Sequence, residues 1–113
     1  MVKKSTLKAV TFMKERLLQT GVNVQKIIVF GSQVNGNVNA DSDIDIMVIS
    51  SDFKNKDIFK RARLTKDAEI MTIKKFLIPL DIVTLTPEEL ADGTSLLSDY
   101  ARTGEVIYEV GNR

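Results

Sequence analysis

The sequence predicts an α/β domain, and three observations predict it. Apolar residues near the N-terminus recur at helical spacing. Three short runs rich in β-branched residues, Lys26–Phe30, Asp43–Ser50 and Leu80–Leu85, read as strands, and a long basic segment of helical character separates the second from the third. At 113 residues the chain is expected to be one domain spanning 1–113, with a single core and no room for a second lobe.

The elements follow in order. From Lys3 to Gln19, Leu7, Val10, Phe12 or Met13, Leu17 and Leu18 repeat at three- and four-residue steps, and Gly21 is placed to close the helix. The run KIIVF, Lys26 to Phe30, is a buried strand ended by Gly31. Gln33 to Ser42, with three asparagines and Gly36, reads as loop, opening with a helical turn at Ser32. It leads into the second strand, DIDIMVIS. The basic segment Lys54 to Lys75 is expected to bury Phe59, Ala62, Ile70, Ile73 and Leu77 on one face and to leave Lys60, Arg61, Arg63, Lys66, Lys74 and Lys75 in water. Pro79 marks its end, LDIVTL is the third strand, and Thr86 and Pro87 start a short helix as N-cap and first residue. A further helix is expected from Ser95 to Arg102, stopped by Gly104 before a last strand, EVIYEV.

Composition narrows the chemistry. Sixteen basic residues against fifteen acidic ones give no strong positive field, so long nucleic acid is not an expected partner. There is no cysteine and no histidine, which removes disulfides, thiolate metal sites and the commonest general base. No apolar stretch approaches a membrane span, and the start, MVKKSTLKAV, lacks the apolar centre of a signal peptide, so a cytoplasmic location is expected. Carboxylates, hydroxyls, lysine and arginine remain.

The carboxylates are concentrated. Asp41, Asp43 and Asp45 crowd the entrance of an apolar strand, although like charges repel and resist desolvation. Side chains alternate along a strand, so Asp43 and Asp45 share one face while Ile44, Ile46 and Val48 take the other. Asp81 opens the third strand in the same way and reaches the first two if the strands are neighbours. Three carboxylates without histidine or cysteine suit a hard cation, Mg²⁺ or Mn²⁺, and two such ions roughly 3.5–4 Å apart serve phosphoryl chemistry. Gly31 allows close backbone approach after the first strand, and Ser32 offers a hydroxyl and helix-start amides to a phosphate. Ten residues, Gln33 to Ser42, separate Ser32 from Asp43. An EF-hand needs glycine and glutamate where Ile46 and Asp52 stand, and a charge-blunted strand edge accounts for Asp41, Asp43 and Asp45 but not for Gly31, Ser32 and Asp81 as well. Asp41 and Ser42 read as loop residues, and Tyr100 and Tyr108 as core or surface aromatics.

Gly31-Ser32, ten residues, Asp43-x-Asp45 and a later strand-opening Asp81 together resemble the signature of the polymerase β-like nucleotidyltransferase superfamily. The short chain, the leading helix and the phrase SDIDIMV are most similar to its minimal nucleotidyltransferases (MNT). The resemblance implies a small mixed sheet with flanking helices, the palm-like nucleotidyltransferase fold. It also implies Mg²⁺ held by Asp43, Asp45 and Asp81 as catalytic residues, and a nucleoside triphosphate held by Gly31 and Ser32. The implied reaction is transfer of a nucleoside monophosphate, AMP from ATP, to an acceptor hydroxyl. In this family many members are encoded beside a helical HEPN toxin, and some add AMP to a toxin tyrosine, so the expected function is that of an antitoxin. The chain departs from the family at Asn35, before Gly36, where members often carry a basic residue. Two alternatives stand beside this expectation: a non-catalytic antitoxin that acts by occupancy, and a small-molecule transferase of the aminoglycoside type, whose pocket a homo-oligomer would have to complete. The basic segment reads first as a solvated helix face, with docking of a partner through Arg61 and Arg63 as the second reading.

Overall fold

The computed structural model describes residues 2–31, 34, 43–93 and 96–111. Four strands form one mixed sheet in the order β3-β2-β1-β4. They are β1 (Lys26–Phe30), β2 (Ile44–Ile49), β3 (Leu80–Leu85) and β4 (Glu105–Glu109). β1 runs antiparallel to both β2 and β4, whereas β2 and β3 are parallel, so a long connection has to return the chain between them.

Two long helices cover one face. In α1 (Lys4–Gln19), Thr6, Ala9, Val10, Met13 and Leu17 are buried, the three-and-four spacing of one helical stripe. Gly21, at φ 92°, closes the helix in a Schellman turn: its N–H reaches the Leu18 carbonyl at 3.1 Å and the Val22 N–H reaches that of Leu17 at 3.0 Å. α2 (Ile58–Phe76) is the β2–β3 connection and begins on Asp57, whose carboxylate accepts the Lys60 N–H at 2.9 Å. A 3₁₀ turn, Ser51–Phe53, follows β2, and the helix starts at Ile58, four residues later than the basic segment. Arg16 of α1 and Asp67 of α2 pair at 2.5 Å, and the rings of Phe12 and Phe76 meet edge to face at 5.7 Å. Ile27, Val29, Ile44, Ile46 and Val48 project into the core beneath these helices.

Among the described residues the other face is thinly covered. Ile28, Phe30, Met47, Ile49 and Leu85 form a second cluster under α3 (Pro87–Ala91) and α4 (Leu96–Thr103). α3 carries the capping box that Thr86 announces, with the Thr86 and Glu89 side chains each accepting the other residue's backbone N–H.

The phase of α2 differs from the expectation. Its buried residues are Thr65, Ala68 and Thr72, supported by Leu64 and Phe76. Phe59 is 76% exposed, Leu77 is 82% exposed as the left-handed cap, and Ile70 is exposed. The inward threonines satisfy their hydroxyls within the helix, Thr72 on the Ala68 carbonyl at 2.6 Å and Thr65 on that of Ala62 at 3.3 Å, which removes the usual cost of burying them. Arg61 corrects the expectation in the opposite sense. Only 14% of its side chain is exposed, and it donates to both carboxylate oxygens of Glu89, at 2.8 and 3.1 Å, and to the carbonyls of Thr84 and Lys56. It is a clamp between α2, β3 and α3, not a solvated docking residue.

Candidate active site

The acidic residues meet where β1 ends and β2 and β3 begin. Asp45 is the register partner of Asp81 across the parallel pair and of Phe30 across the antiparallel one, so all three project from the thinly covered face. Asp43 precedes β2 by one residue and is exposed, as is Asp81, whereas Asp45 is half-buried. The Asp45 carboxyl is pushed above the usual carboxylate range, first by burial and then by the negative charges of Asp81 and Asp43. Asp45 therefore feels the charge of both its acidic neighbours.

Gly31 belongs to this arrangement. It sits at φ 74°, which favours glycine, and a Cβ there would collide with the Asp45 carboxylate oxygen. Its carbonyl accepts the Val34 N–H at 3.1 Å, which begins the turn out of β1. Ser32, Asn35, Asp41 and Ser42 lie outside the described residues.

The donor set suits a hard divalent cation, because it consists of carboxylate oxygens whose crowding a positive charge would relieve. Among the described residues, however, no three acidic side chains form a closed metal-binding group as they stand. A cavity of about 700 Å³ between α1 and the end of α2, around Leu7, Phe12 and Phe76, lies apart from the acids. Asp81 borders a groove of about 180 Å³, below the roughly 300–1,000 Å³ of a typical ligand pocket. The described residues make the floor of a site and not its walls.

One neighbour of the site was not legible beforehand. Tyr100 of α4 stacks on Phe30, with ring centroids 5.3 Å apart and planes 23° apart, and is 38% exposed. An aromatic wall thus stands beside Asp45, built from residues seventy positions apart in the chain with no local signal linking them.

Comparison with known proteins agrees with the fold. The fold is similar to that of a candidate nucleotidyltransferase from Sulfolobus solfataricus, at 19% identity and TM-score 0.59 over 95% of this chain and 89% of the other. It is similar to a toxin-antitoxin structure with AMP-PNP, at 23% identity and TM-score 0.60 over 87% and 72%. A tri-AMPylated HEPN toxin in complex with its MNT antitoxin, from Shewanella oneidensis, matches at 20% identity and TM-score 0.53 over 90% and 73%. No curated protein matches the sequence. The family model described as polymerase beta, nucleotidyltransferase matches residues 14–112, which take in Gly31 and all three aspartates. The chain belongs to the polymerase beta nucleotidyltransferase family.

Proposed function

We propose that the protein transfers AMP from ATP to a hydroxyl, in the first instance a tyrosine of a helical HEPN-type partner, and so acts as an antitoxin. The observation that carries this reading is the pairing of Asp45 with Asp81 in register, with Asp43 close enough to raise the Asp45 proton affinity. The similar toxin-antitoxin structures, one with AMP-PNP and one with an AMPylated toxin, support the choice of nucleotide and acceptor.

Asp43, Asp45 and Asp81 would hold Mg²⁺, two ions or their Mn²⁺ equivalents, with Asp43 and Asp45 shared and Asp81 on the catalytic side. Bound there, the metal would supply charge stabilisation to the transferring phosphoryl group and its leaving oxygens. The chain's own residues have separate tasks. Asp81, exposed at the sheet edge, would accept the proton of an arriving hydroxyl, a role no histidine can take in this chain. The backbone after Gly31, with Ser32, would receive the outer phosphates. The outward part of Tyr100, backed by Phe30, offers a stacking surface to the nucleobase.

The test is incubation with Mg²⁺, ATP and the product of the adjacent gene, followed by intact mass spectrometry of that product. Addition of one or more AMP masses at a tyrosine, lost when Asp45 is changed to Asn, is the expected result. A stable complex without modification would overturn the catalytic reading in favour of occupancy.

A further inference from the structure

The N-terminal half of α1 overhangs the end of α2. The two helices are antiparallel, with Arg16 paired to Asp67 and Phe12 packed on Phe76, so Lys4 to Thr11 continue for about 12 Å past the last turn of α2. Between overhang and helix end lies the groove of about 700 Å³, lined by Lys4, Lys8 and Lys75 together with Leu7, Phe12 and Phe76. Among the described residues no acid lines it.

Both the charged and the apolar parts of this groove are unfavourable in the chain alone. Among the described residues no ion pair engages Lys4, Lys8 or Lys75, although the Lys75 ammonium lies 5.0 Å over the Phe12 ring. Lys4 stands in the first turn of α1, where the macrodipole disfavours a cation and no acid offsets it. Leu7 is 44% exposed. Leu77, next to Phe76, is 82% exposed and held at φ 57°, a left-handed cap that glycine or asparagine adopts with less strain. A lone exposed leucine or a lone solvated lysine needs no explanation. Three unpaired cations gathered on one concave apolar surface do.

The groove is at the same end of the sheet as the acidic site. α2 finishes at Phe76, and Asp81 is the second residue of the strand that follows. Lys14 lies over the ring of Tyr108, the register partner of Ile27, so the preceding turns of α1 run toward the Gly31 end of β1. The groove belongs to the helix-covered face and Asp45 to the other, which gives docking and transfer separate surfaces.

We infer that this groove docks a helical segment of the protein partner, one that presents carboxylates beside an apolar stripe. The inference rests on the proposed function, which needs a second protein to deliver the hydroxyl. Charge and shape select the occupant. A fatty acid would bring one carboxylate to three lysines, and a nucleic acid would neutralise the lysines while leaving Leu7 and Leu77 wet. A helix with acids one turn apart matches Lys4 and Lys8, which are themselves one turn apart, and its apolar side chains cover Leu7 and the Phe12–Phe76 pair.

Calorimetric titration of the full chain with the product of the adjacent gene, at two salt concentrations, tests the inference, with amide hydrogen exchange and intact mass measured on the same complex. Lys4→Glu combined with Lys8→Glu should weaken association by about tenfold or more and flatten its salt dependence. This double change places acids in the opening turns of α1, where the macrodipole favours them, so the melting temperature should hold or rise and weaker binding is not unfolding. Leu77→Asn suits the left-handed cap and should weaken association by about threefold with the fold kept. Complex formation should slow exchange at Lys8 to Phe12 and at Lys74 to Leu77. A complex indifferent to these changes, or protected elsewhere, would overturn the docking surface and leave the transfer reading standing. A sensitive complex that gains no AMP would uphold the docking surface and overturn transfer. The absence of any complex would overturn the docking surface, with transfer still decided by the mass of the gene product. Binding to anionic phospholipid vesicles that the double change abolishes, with affinity for the gene product unchanged, would assign the lysines to a membrane and overturn the inference.

Discussion

The two faces of β2 carry opposite instructions. On one, Ile44, Ile46 and Val48 are fully buried beneath two long helices. On the other, Met47 and Ile49 find cover under short helices, but Asp45 meets Asp81 and Asp43 where, among the described residues, that cover has ended. One face lowers the free energy of the fold, and the other spends some of it holding like charges together. The site is therefore an extension of the strand whose cost the opposite face offsets.

Substitutions that separate stability from transfer sharpen this contrast. The largest expected effect on transfer is on the acidic side: Asp45→Asn should lower AMP transfer by about a hundredfold or more, equivalent to ~2.7 kcal/mol of barrier. Because the folded state penalises the charged Asp45, the same change should leave the metal-free melting temperature unchanged or slightly higher at neutral pH. A large drop in melting temperature would show that Asp45 is structural. On the apolar side, Ile46→Ala should cost about 2–5 kcal/mol in chemical denaturation, a large share of the roughly 5–15 kcal/mol available to a small domain. Transfer by its remaining folded fraction should persist.

Arg61→Ala gives a smaller effect, about 1–2 kcal/mol, because it removes the bonds to Glu89, Thr84 and Lys56 from a mostly buried guanidinium whose carboxylate partner is partly solvated. This residue also has a pH signature. The Arg61 hydrogen bond holds the Glu89 carboxyl below its ordinary range against the opposing effect of burial, with Thr86 helping. A depressed carboxylate stabilises above its unfolded pKa and loses that contribution as pH falls through its folded pKa. Acid titration of stability should therefore be shallower in Arg61→Ala than in the parent. Tyr100→Ala is expected to weaken ATP binding roughly fivefold, about 1 kcal/mol, by calorimetry, with little change in fold.

Much of this arrangement was legible because strand periodicity is local. Alternation across DIDIMV assigns Asp43 and Asp45 to one side and the isoleucines to the other without any tertiary information. The order of elements, the N-cap at Thr86 and the Gly21 turn were equally accessible, since each depends on residues a few positions apart. The phase of α2 was not. Thr65 and Thr72 turn inward because the helix backbone accepts their hydroxyls, and Phe59 and Ile70 turn outward, which inverts the rule that apolar residues mark the core. Arg61 was misread for a related reason. Its carboxylate partner lies twenty-eight residues away, and composition alone made it one more surface charge. Pairing of β2 with β3 was a condition of the reading of Asp81, met by a register that no pattern within LDIVTL specifies.

Titration of the ¹⁵N-labelled protein with Mn²⁺ tests the central claim most directly, because paramagnetic broadening reports where the cation sits without requiring turnover. The account predicts that substoichiometric Mn²⁺ bleaches the amides of Gly31, Asp43, Asp45 and Asp81 first, reaches the far end of β4 at Glu109 last, and is displaced by Mg²⁺. Asp45→Asn should remove the effect. Broadening centred elsewhere, or the same pattern retained in Asp45→Asn, would contradict the assignment of these three aspartates as a metal site.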